Sequence, residues 1–178
     1  PHNPGSESTP ISLGVPIVFD IFPSEIGGGY SFDMTRTWCL GYAPDEVQSL
    51  YDQVRVVYDT VCDRLEINTP FSNYQQLACE LFEEMGHKTV LKKPETKEGY
   101  VHGLGHGVGL YVHERPYSSL KYPFKDYFKP GMVFTVEPGL YYPDRNMGAR
   151  LEDTFWITPQ GKFERLVEYS RDLVIPVR

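Results

Sequence analysis

The chain has 178 residues, of which 40% are hydrophobic and 23% charged, with 16 Gly and 15 Pro. This composition excludes a disordered or collagen-like chain, and the length allows one domain with a real core and no need for disulfides. The formal net charge of −7 argues against nucleic acid or an anionic membrane as the main partner, and no apolar stretch approaches the roughly 18 residues of a membrane span.

Three widely spaced cysteines, Cys39, Cys62 and Cys79, form no CxxC motif. A sparse, odd count favours a reducing compartment over a secreted disulfide framework. The first residues, PHNPG, lack the basic and apolar regions of a signal peptide. We therefore expect a cytoplasmic protein. Because the chain begins with Pro and not Met, a processed or truncated piece of a longer protein is an open alternative.

Two strands are expected near the start of the chain. A short apolar, β-branched run predicts a buried strand over residues 15–22, interrupted by Asp20. The segment SEIGGG predicts a turn, because three consecutive glycines break regular structure. Residues 30–40 then predict the returning strand, with Asp33 in its middle.

Helices follow, and then a change of pattern. Apolar residues at helical spacing predict an amphipathic helix over residues 44–65. A second helix is expected from Ser72, as N-cap, to Gly86 at the C-cap position. Residues 88–99 indicate a charged loop, and short β-like pieces follow at residues 102–113, 132–142, 149–158 and 173–177. We expect a single α+β domain over residues 1–178, with a curved sheet backed by helices.

Ionisable residues inside apolar strand-like segments are the main chemical signal. Burying an unpaired charge costs several kcal/mol, so strands avoid such residues without a reason. Four carboxylates and one imidazole could share a site only around compensating positive charge, which two divalent cations supply. This predicts a dinuclear metal site built from Asp20 in VFDIF, Asp33 in SFDMT, His106 in LGHGVGL, Glu137 in FTVEPGL and Glu152 in ARLEDTFW.

The donor set also indicates the kind of metal. Oxygen-dominated ligation with one imidazole favours Mn²⁺ first, with Co²⁺ or Fe²⁺ as alternatives, over a thiolate-type zinc site. A single acid at a strand end is more often a capping or salt-bridged group than a ligand. We assign Asp153, next to Glu152, to that class and leave it out of the ligand set.

His102 and His106 have the HxxxH spacing of a helical zinc motif, but the glycines between and after them make a helix improbable. A strand or glycine-rich loop is expected instead, and glycines at alternate positions leave room for another backbone or a substrate. His113 would add an imidazole near the metals without being a ligand.

Taken together, these motifs resemble those of the pita-bread-fold metallopeptidases (family M24), which include methionine aminopeptidase, prolidase and aminopeptidase P. The resemblance rests on DMTRT, HGLGHGVGLYVHERP, TVEPGLY and RLED, and extends to about residue 158. It implies a pita-bread (creatinase/aminopeptidase) fold with a curved antiparallel sheet. It further implies five ligands of two metal ions, with Asp33 and Glu152 bridging and Glu137 doubling as proton acceptor.

Details within these motifs resemble the Xaa-Pro peptidases. They are the histidine at His102, the VHE context of His113, Tyr141 after VEPGL and Arg150 before LED. The stretch PHNPG resembles the substrate-binding histidine segment of the family, which would make His2 an active-site residue. Tyr141 and Arg150 are likewise expected at the substrate, where Arg150 would orient Tyr141 or Glu152 or meet a substrate carboxylate. A frayed terminus is the alternative for His2, and a plain salt bridge is the alternative for Arg150.

Two departures from the family pattern stand out. The spacing from Asp20 to Asp33 is longer by two residues than in many members, which we assign to an enlarged SEIGGG turn. An even insertion at a turn need not change the face on which a strand side chain lies. The helices and opening strand that precede the His2 segment in the family are absent here, so we expect a C-terminal, ligand-bearing portion of a larger protein.

The first hypothesis is an Xaa-Pro aminopeptidase or dipeptidase that uses a metal-bridged hydroxide as nucleophile. Glu137 would carry the proton to the leaving nitrogen, while His113 and His102 would donate hydrogen bonds to the substrate. Two divalent ions (Mn, with Co, Fe or Zn as alternatives) and a peptide are the implied cofactor and partner, and dimerisation of the intact protein stays open. The alternatives are methionine aminopeptidase activity and a non-catalytic, peptide-binding member of the fold.

Overall fold

A computed structural model of the chain describes Ser6, residues 8–121 and residues 125–177. The α+β class expected from the sequence is confirmed. No helix among the described residues is long and apolar enough to cross a membrane. In chain order, the elements of this part are β1 (Ile17–Ile21), β2 (Met34–Leu40), α1 (Asp45–Cys62), α2 (Phe71–Glu84), β3 (His106–Gly107), β4 (Glu114–Tyr117), β5 (Val133–Val136), β6 (Gly139–Tyr142), β7 (Met147–Arg150), β8 (Asp153–Ile157), β9 (Phe163–Arg165) and β10 (Val174–Ile175).

Hydrogen bonding divides the strands into three sheets. One has the order β1-β2-β10, a second β4-β3-β5-β8-β9, and β6 pairs with β7. All pairs are antiparallel except β10 with β2, which the expectation of an antiparallel sheet did not include. Within the described residues, one bridge, Thr35 with Glu152, joins the three-stranded sheet to the residue that precedes β8. We call this junction the seam.

The first hairpin forms with shorter strands than predicted, and the expectation of a buried first strand is wrong: β1 is half-buried, and Phe19 in its middle is 45% exposed. β1 and β2 pair antiparallel, and Asp20 faces Thr35 in the register. A bridge between Ser24 and Ser31 closes the enlarged turn. Asp33 precedes β2 by one residue and does not lie in the middle of that strand, as we expected. The first hairpin therefore brings both aspartates to the edge of the seam.

Both helices lie close to their predicted positions. α1 buries Val47, Leu50, Val54 and Val61 along one side. The expected N-cap of α2, Ser72, is wrong: the helix starts after Pro70, and Ser72 lies in its first turn. Pro70 has φ −62° with an extended ψ, so the chain enters the helix at Phe71 without a side-chain cap. Gly86 follows the C-terminus with φ +90°, a conformation that glycine adopts without strain.

A cluster of aromatic rings joins α2 to the five-stranded sheet. Phe134 on β5 is fully buried, and its ring centroid lies 4.4 Å from that of Phe128 and 5.4 Å from that of Phe71. Phe155 on β8 stacks on Phe134 at 5.8 Å. Rings at these separations exclude water and contribute beyond the area they bury. This packing holds α2 behind the strands that carry the polar residues described below.

Substituting Phe134→Ala is expected to lower the free energy of unfolding by about 3–5 kcal/mol, because the lost ring leaves a cavity in a packed core. Leu166→Ala is the control, since Leu166 is 48% exposed, and it should change stability by no more than about 0.5 kcal/mol. Denaturant unfolding measures both, and equal effects would contradict the assigned core.

Candidate metal centre

Five ionisable side chains meet in one cleft of about 470 Å³. Asp20 lies on β1, and Asp33 directly precedes β2. His106 is on β3, Glu137 follows β5, and Glu152 lies between β7 and β8. The two aspartates therefore come from one side of the seam, and the other three residues from the other side.

Three overlapping groups of these side chains have the spacing that a metal ion needs, with one ligand atom of each residue within 4.8 Å of the others. The first group contains Asp20, Asp33 and Glu152, and the second contains His106, Glu137 and Glu152. The third joins Asp33 and His106 to His113, which we expected near the metals but outside the ligand set. Asp33, His106 and Glu152 each belong to two groups, and of these three only the two carboxylates have the second oxygen that a bridging ligand needs.

Crowding of the carboxylates opposes their ionisation. Burial and the nearby charge of Asp20 raise the pKa of Asp33 to about 7, although His106 and Arg150 oppose the shift. Burial, followed by the charges of Glu137 and Asp33, raises the pKa of Glu152 far above its usual range. In this arrangement the cluster retains protons near neutral pH unless cations compensate its charge.

His106 and Glu137 form a close pair. The His106 Nε2 atom lies 3.3 Å from Glu137 Oε1 and 3.7 Å from Asp33 Oδ2. Burial is the largest single influence and opposes both charges, but their mutual hydrogen bond and the neighbouring charges together outweigh it, so the pKa of Glu137 is lowered and that of His106 raised. The His106 Nδ1 atom lies 3.0 Å from the Gly107 carbonyl oxygen. Donation from Nδ1 fixes the ring with Nε2 facing the carboxylates, so loss of the Nε2 proton that Glu137 accepts would expose the lone pair that a ligating imidazole requires.

The donor chemistry fits divalent cations. Among the described residues, Asp33 Oδ1 is buried and accepts no hydrogen bond, which is costly for a carboxylate oxygen. Together with the spacing of the three groups, this oxygen marks a position that a cation would satisfy. Four carboxylates and one imidazole are the donor set that Mn²⁺, Co²⁺ or Fe²⁺ takes in proteins.

A glycine-rich loop, residues 102–105, forms one wall of the cleft. A Cβ atom at Gly105 would collide with the Thr135 carbonyl oxygen, and one at Gly107 with the Arg115 carbonyl oxygen. These glycines thus allow another backbone segment to approach closely. This is one of the two roles that the sequence suggested for them, the other being space for a substrate. The helical HxxxH arrangement is absent, and most of residues 102–113 are loop and not strand.

Gln75 on α2 holds this loop from behind. Its Oε1 atom accepts a hydrogen bond from the Leu104 backbone N–H, and its Nε2 atom donates to the His102 carbonyl oxygen at 3.3 Å. Ser118 Oγ accepts from the Gly105 N–H at 3.0 Å and lies 3.5 Å from Gln75 Oε1. We did not identify Gln75 from the sequence. Its signal there is a polar residue on the helix stripe that otherwise carries Phe71, Ala78 and Phe82.

A hydrogen-bonded chain crosses the cleft from His102 to Asp20. The His102 Nδ1 atom lies 2.7 Å from the Gly103 carbonyl oxygen, so Nδ1 is the donor and Nε2 accepts from the Tyr141 hydroxyl at 2.9 Å. Arg150 donates to that hydroxyl at 2.9 Å and pairs with Asp20 at 2.5 Å. Burial lowers the pKa of His102, which keeps the imidazole neutral. Both ring nitrogens of His102 are therefore engaged within the protein.

Arg150 thus forms the salt bridge that we gave as the alternative to a substrate contact, and it also orients Tyr141. Thr35 supports the neighbouring ligand, because its hydroxyl donates to Glu152 Oε2 at 2.6 Å. Arg150 Nε donates to the same hydroxyl at 3.0 Å. Thr35 was not singled out from the sequence, although it stands in the quoted DMTRT motif.

The sequence also made predictions for His113, His2 and Asp153. His113 is exposed at the cleft and packs edge-on against His106, with ring centroids 4.3 Å apart. His2 lies outside the described residues. Asp153, which we left out of the ligand set, pairs with Arg36 at 2.6 Å.

Comparisons with known proteins agree with this geometry. The chain is 31% identical over 174 residues to an Xaa-Pro dipeptidase of Pyrococcus furiosus, a match that covers 98% of this chain and 45% of the relative. A prolidase from Thermococcus sibiricus superposes with a TM-score of 0.81 at 30% identity, over 99% of this chain and 43% of that one. An X-Pro aminopeptidase from Thermotoga maritima gives 0.76 at 28% identity, over 93% and 42%.

The chain therefore spans less than half the length of these relatives. The structural likeness confirms the pita-bread fold that the resemblance implied. The sequence profile of metallopeptidase family M24 matches residues 1–159. On these grounds, the chain belongs to metallopeptidase family M24.

Proposed function

We propose that residues 1–178 form the ligand-bearing part of the catalytic domain of a peptidase that depends on two divalent cations. Its proposed reaction is hydrolysis of peptide bonds that precede proline, as an Xaa-Pro aminopeptidase or dipeptidase. The observation that carries this proposal is the convergence of Asp20, Asp33, His106, Glu137 and Glu152 in one cleft. The relatives named as Xaa-Pro dipeptidase, prolidase and X-Pro aminopeptidase support the substrate class.

These five side chains would hold the cations, with Asp33 and Glu152 shared between them. Mn²⁺ is the first choice for this donor set, with Co²⁺, Fe²⁺ or Zn²⁺ as alternatives. When bound, the cations supply Lewis acidity and lower the pKa of water toward neutrality. The buried, unsatisfied Asp33 Oδ1 and the raised pKa of Asp33 are the features of this chain that binding would relieve.

Glu137 is proposed to accept the proton of the attacking water and pass it to the leaving nitrogen. A proton acceptor must be ionised at the working pH, and the lowered pKa of Glu137 meets that condition. Its Oε1 atom also receives a 3.4 Å hydrogen bond from Thr135, which helps to fix its direction.

His113 is proposed to donate a hydrogen bond to the substrate carbonyl oxygen, because it lines the exposed side of the cleft. His102, with both nitrogens engaged, would contribute by orienting the Tyr141 hydroxyl. Arg150 would keep that hydroxyl in place from the other side. His2 stays a proposed substrate-binding residue on the strength of the PHNPG resemblance.

Cation binding is the most direct test of the proposed function. The protein at its natural length is expected to bind two Mn²⁺ or Co²⁺ ions per chain, with anomalous density beside the five ligands. Glu152→Ala should abolish both sites, because Glu152 belongs to two of the three groups. Asp172→Ala is the control, since Asp172 is exposed. Calorimetric titration measures the stoichiometry, and an unsubstituted protein that binds no cation would refute the proposed function.

The second prediction concerns turnover. Glu137→Gln is expected to lower kcat on Xaa-Pro peptides by about 10²- to 10⁴-fold, the usual contribution of a general base. Glu84→Gln, on the exposed side of α2, should leave kcat unchanged. Assays with saturating Mn²⁺ separate this effect from weaker metal binding. Release of methionine from Met-Ala peptides in place of Xaa-Pro cleavage would favour the methionine aminopeptidase alternative.

The third prediction concerns pH. Between about pH 5 and 7 the folded, metal-free protein holds a proton on Asp33 that the unfolded chain has released, since the pKa rises from 3.8 to about 7. Stability from this group is thus lost as the pH rises. Asp33→Asn should reduce this decrease in the free energy of unfolding with rising pH. Denaturant unfolding in the presence of a chelator, at several pH values, measures it. An equally steep decrease in Asp33→Asn and in the unsubstituted protein would contradict this assignment.

A further inference from the structure

The seam between the sheets separates the proposed ligands, so whatever fixes the seam fixes their spacing. Asp33 enters β2 on one side, and Glu152 precedes β8 on the other. Within the described residues, direct backbone–backbone hydrogen bonding across the seam consists of the Thr35–Glu152 bridge, in which the Glu152 N–H donates to the Thr35 carbonyl oxygen at 3.1 Å. The hydroxyls of Thr37 and Thr154 add hydrogen bonds to backbone groups on the opposite side. The spacing across the seam therefore depends largely on side chains that bind backbone groups.

Arg36 and Asp153 are placed to reinforce this junction from behind the cleft. Successive side chains of an extended strand point to opposite faces. The Thr35 hydroxyl contacts the Glu152 carboxylate, so Arg36 lies on the opposite face from Thr35. Asp153 is the neighbour of Glu152 and meets Arg36 there at 2.6 Å, with each side chain 1% exposed. The ion pair and the proposed ligands thus lie on the two faces of the same strands.

Arg36 uses all five of its N–H donors. Nη1 donates to the Glu152 carbonyl oxygen at 2.6 Å and to the Thr35 carbonyl oxygen at 2.9 Å, which are the two residues of the bridge. Nη2 binds Asp153 Oδ1 at 2.6 Å and the Tyr169 carbonyl oxygen at 3.4 Å. Nε donates to the Ser170 carbonyl oxygen at 3.0 Å. One guanidinium therefore ties together β2, the start of β8 and the segment around residues 169–170.

Asp153 is fixed as firmly. Its Oδ2 atom accepts a hydrogen bond from the Tyr58 hydroxyl of α1 at 2.5 Å. Arg165 and Arg171 approach the same oxygen at 3.8 and 3.9 Å. The carboxylate therefore cannot rotate away from Arg36 without losing its contacts to α1 and to these two further arginines.

We propose that Arg36 and Asp153 are a positioning pair for the cation site. Through the Glu152 and Thr35 carbonyl groups, they hold the proposed ligands on the two sides of the seam at the spacing that two cations with shared ligands need. This inference rests on the proposed function. Residues that orient metal ligands from behind commonly change metal affinity by about 10- to 100-fold when they are replaced.

Stability and positioning can be separated by experiment. Replacing a buried ion pair with apolar residues of similar volume is often neutral for folding, because desolvation of both charges offsets their attraction. Arg36→Met/Asp153→Leu leaves no unpaired buried charge, but the Tyr58 hydroxyl and the Glu152 carbonyl oxygen lose their partners, so we expect it to fold with a lowered unfolding midpoint and to be compared with the unsubstituted protein at temperatures where both are folded. The double variant cannot make the two hydrogen bonds to the bridge carbonyls, so the spacing across the seam is held only by the remaining hydrogen bonds of Thr35, Thr37 and Thr154.

The test uses the protein at its natural length, with Co²⁺ as the probe. We expect the dissociation constant of Co²⁺, from visible absorption titration, to rise about 10- to 100-fold in the double variant. In the metal-free protein, hydrogen exchange of residues 150–154, followed by mass spectrometry, should become faster, because the Glu152 amide is less well held. A folded double variant with unchanged affinity and unchanged exchange would overturn the proposal.

A matched control removes an ion pair elsewhere. Arg145 and Glu46 pair at 2.8 Å on the surface, 51% and 74% exposed, and Arg145→Met/Glu46→Leu should change neither readout. Arg36→Lys replaces the double variant if that variant fails to fold. Lysine keeps the positive charge beside Asp153 but lacks the planar guanidinium that reaches both carbonyl groups. Unchanged affinity and exchange in Arg36→Lys would likewise overturn the proposal. If the unsubstituted protein binds no Co²⁺, the proposed function fails, and metal-free exchange still decides the positioning.

Discussion

Electrostatic repulsion among four carboxylates is the constraint on which the arrangement of this molecule depends. Asp20, Asp33, Glu137 and Glu152 converge in one cleft, and a low-dielectric surrounding magnifies their mutual repulsion. Such a cluster persists only when rigid elements hold each member and neighbouring cationic or hydrogen-bonding groups offset part of the charge. The hydroxyl of Thr35, the guanidinium of Arg150 and the imidazole of His106 serve this purpose here. The fold thus leaves a concentration of negative charge that divalent cations are suited to neutralise.

Local patterns predicted the elements well and their assembly less well. The helices and the first hairpin follow from periodicity and turn residues, which are local properties of the chain. The parallel pairing of β10 with β2 depends on contacts between residues more than a hundred positions apart, and the five-stranded sheet pairs strands that are not consecutive in the chain. No local pattern encodes either arrangement. The predicted N-cap of α2 is wrong by two residues: Ser72 is a residue type that favours the N-cap, but Pro70 occupies that position in the structure.

At the site, the sequence indicated the proposed ligands but not the residues that hold them in place. A carboxylate inside an apolar segment is conspicuous, so Asp20 and Glu152 were predicted from the residues themselves. Gln75 and Arg36 look ordinary in the sequence, since a glutamine on a helix and an arginine on a strand are both common on surfaces. Only their burial, at 2% and 1% exposure, distinguishes them. The roles of Tyr141 and Arg150 were expected from the family resemblance, and their connection through a shared hydroxyl emerged from the structure.

The hydrogen bonds of Gln75 have a consequence for local unfolding. A loop without regular secondary structure usually opens at a small cost in free energy, well before the core does. Opening of residues 102–105 carries an added cost, because it would leave the Gln75 amide buried on α2 without the Leu104 and His102 backbone groups that satisfy it. An unsatisfied buried polar group costs about 1–3 kcal/mol. The wall of the cleft that carries His102 should therefore open less readily than an ordinary surface loop, and this resistance comes from the helix behind it.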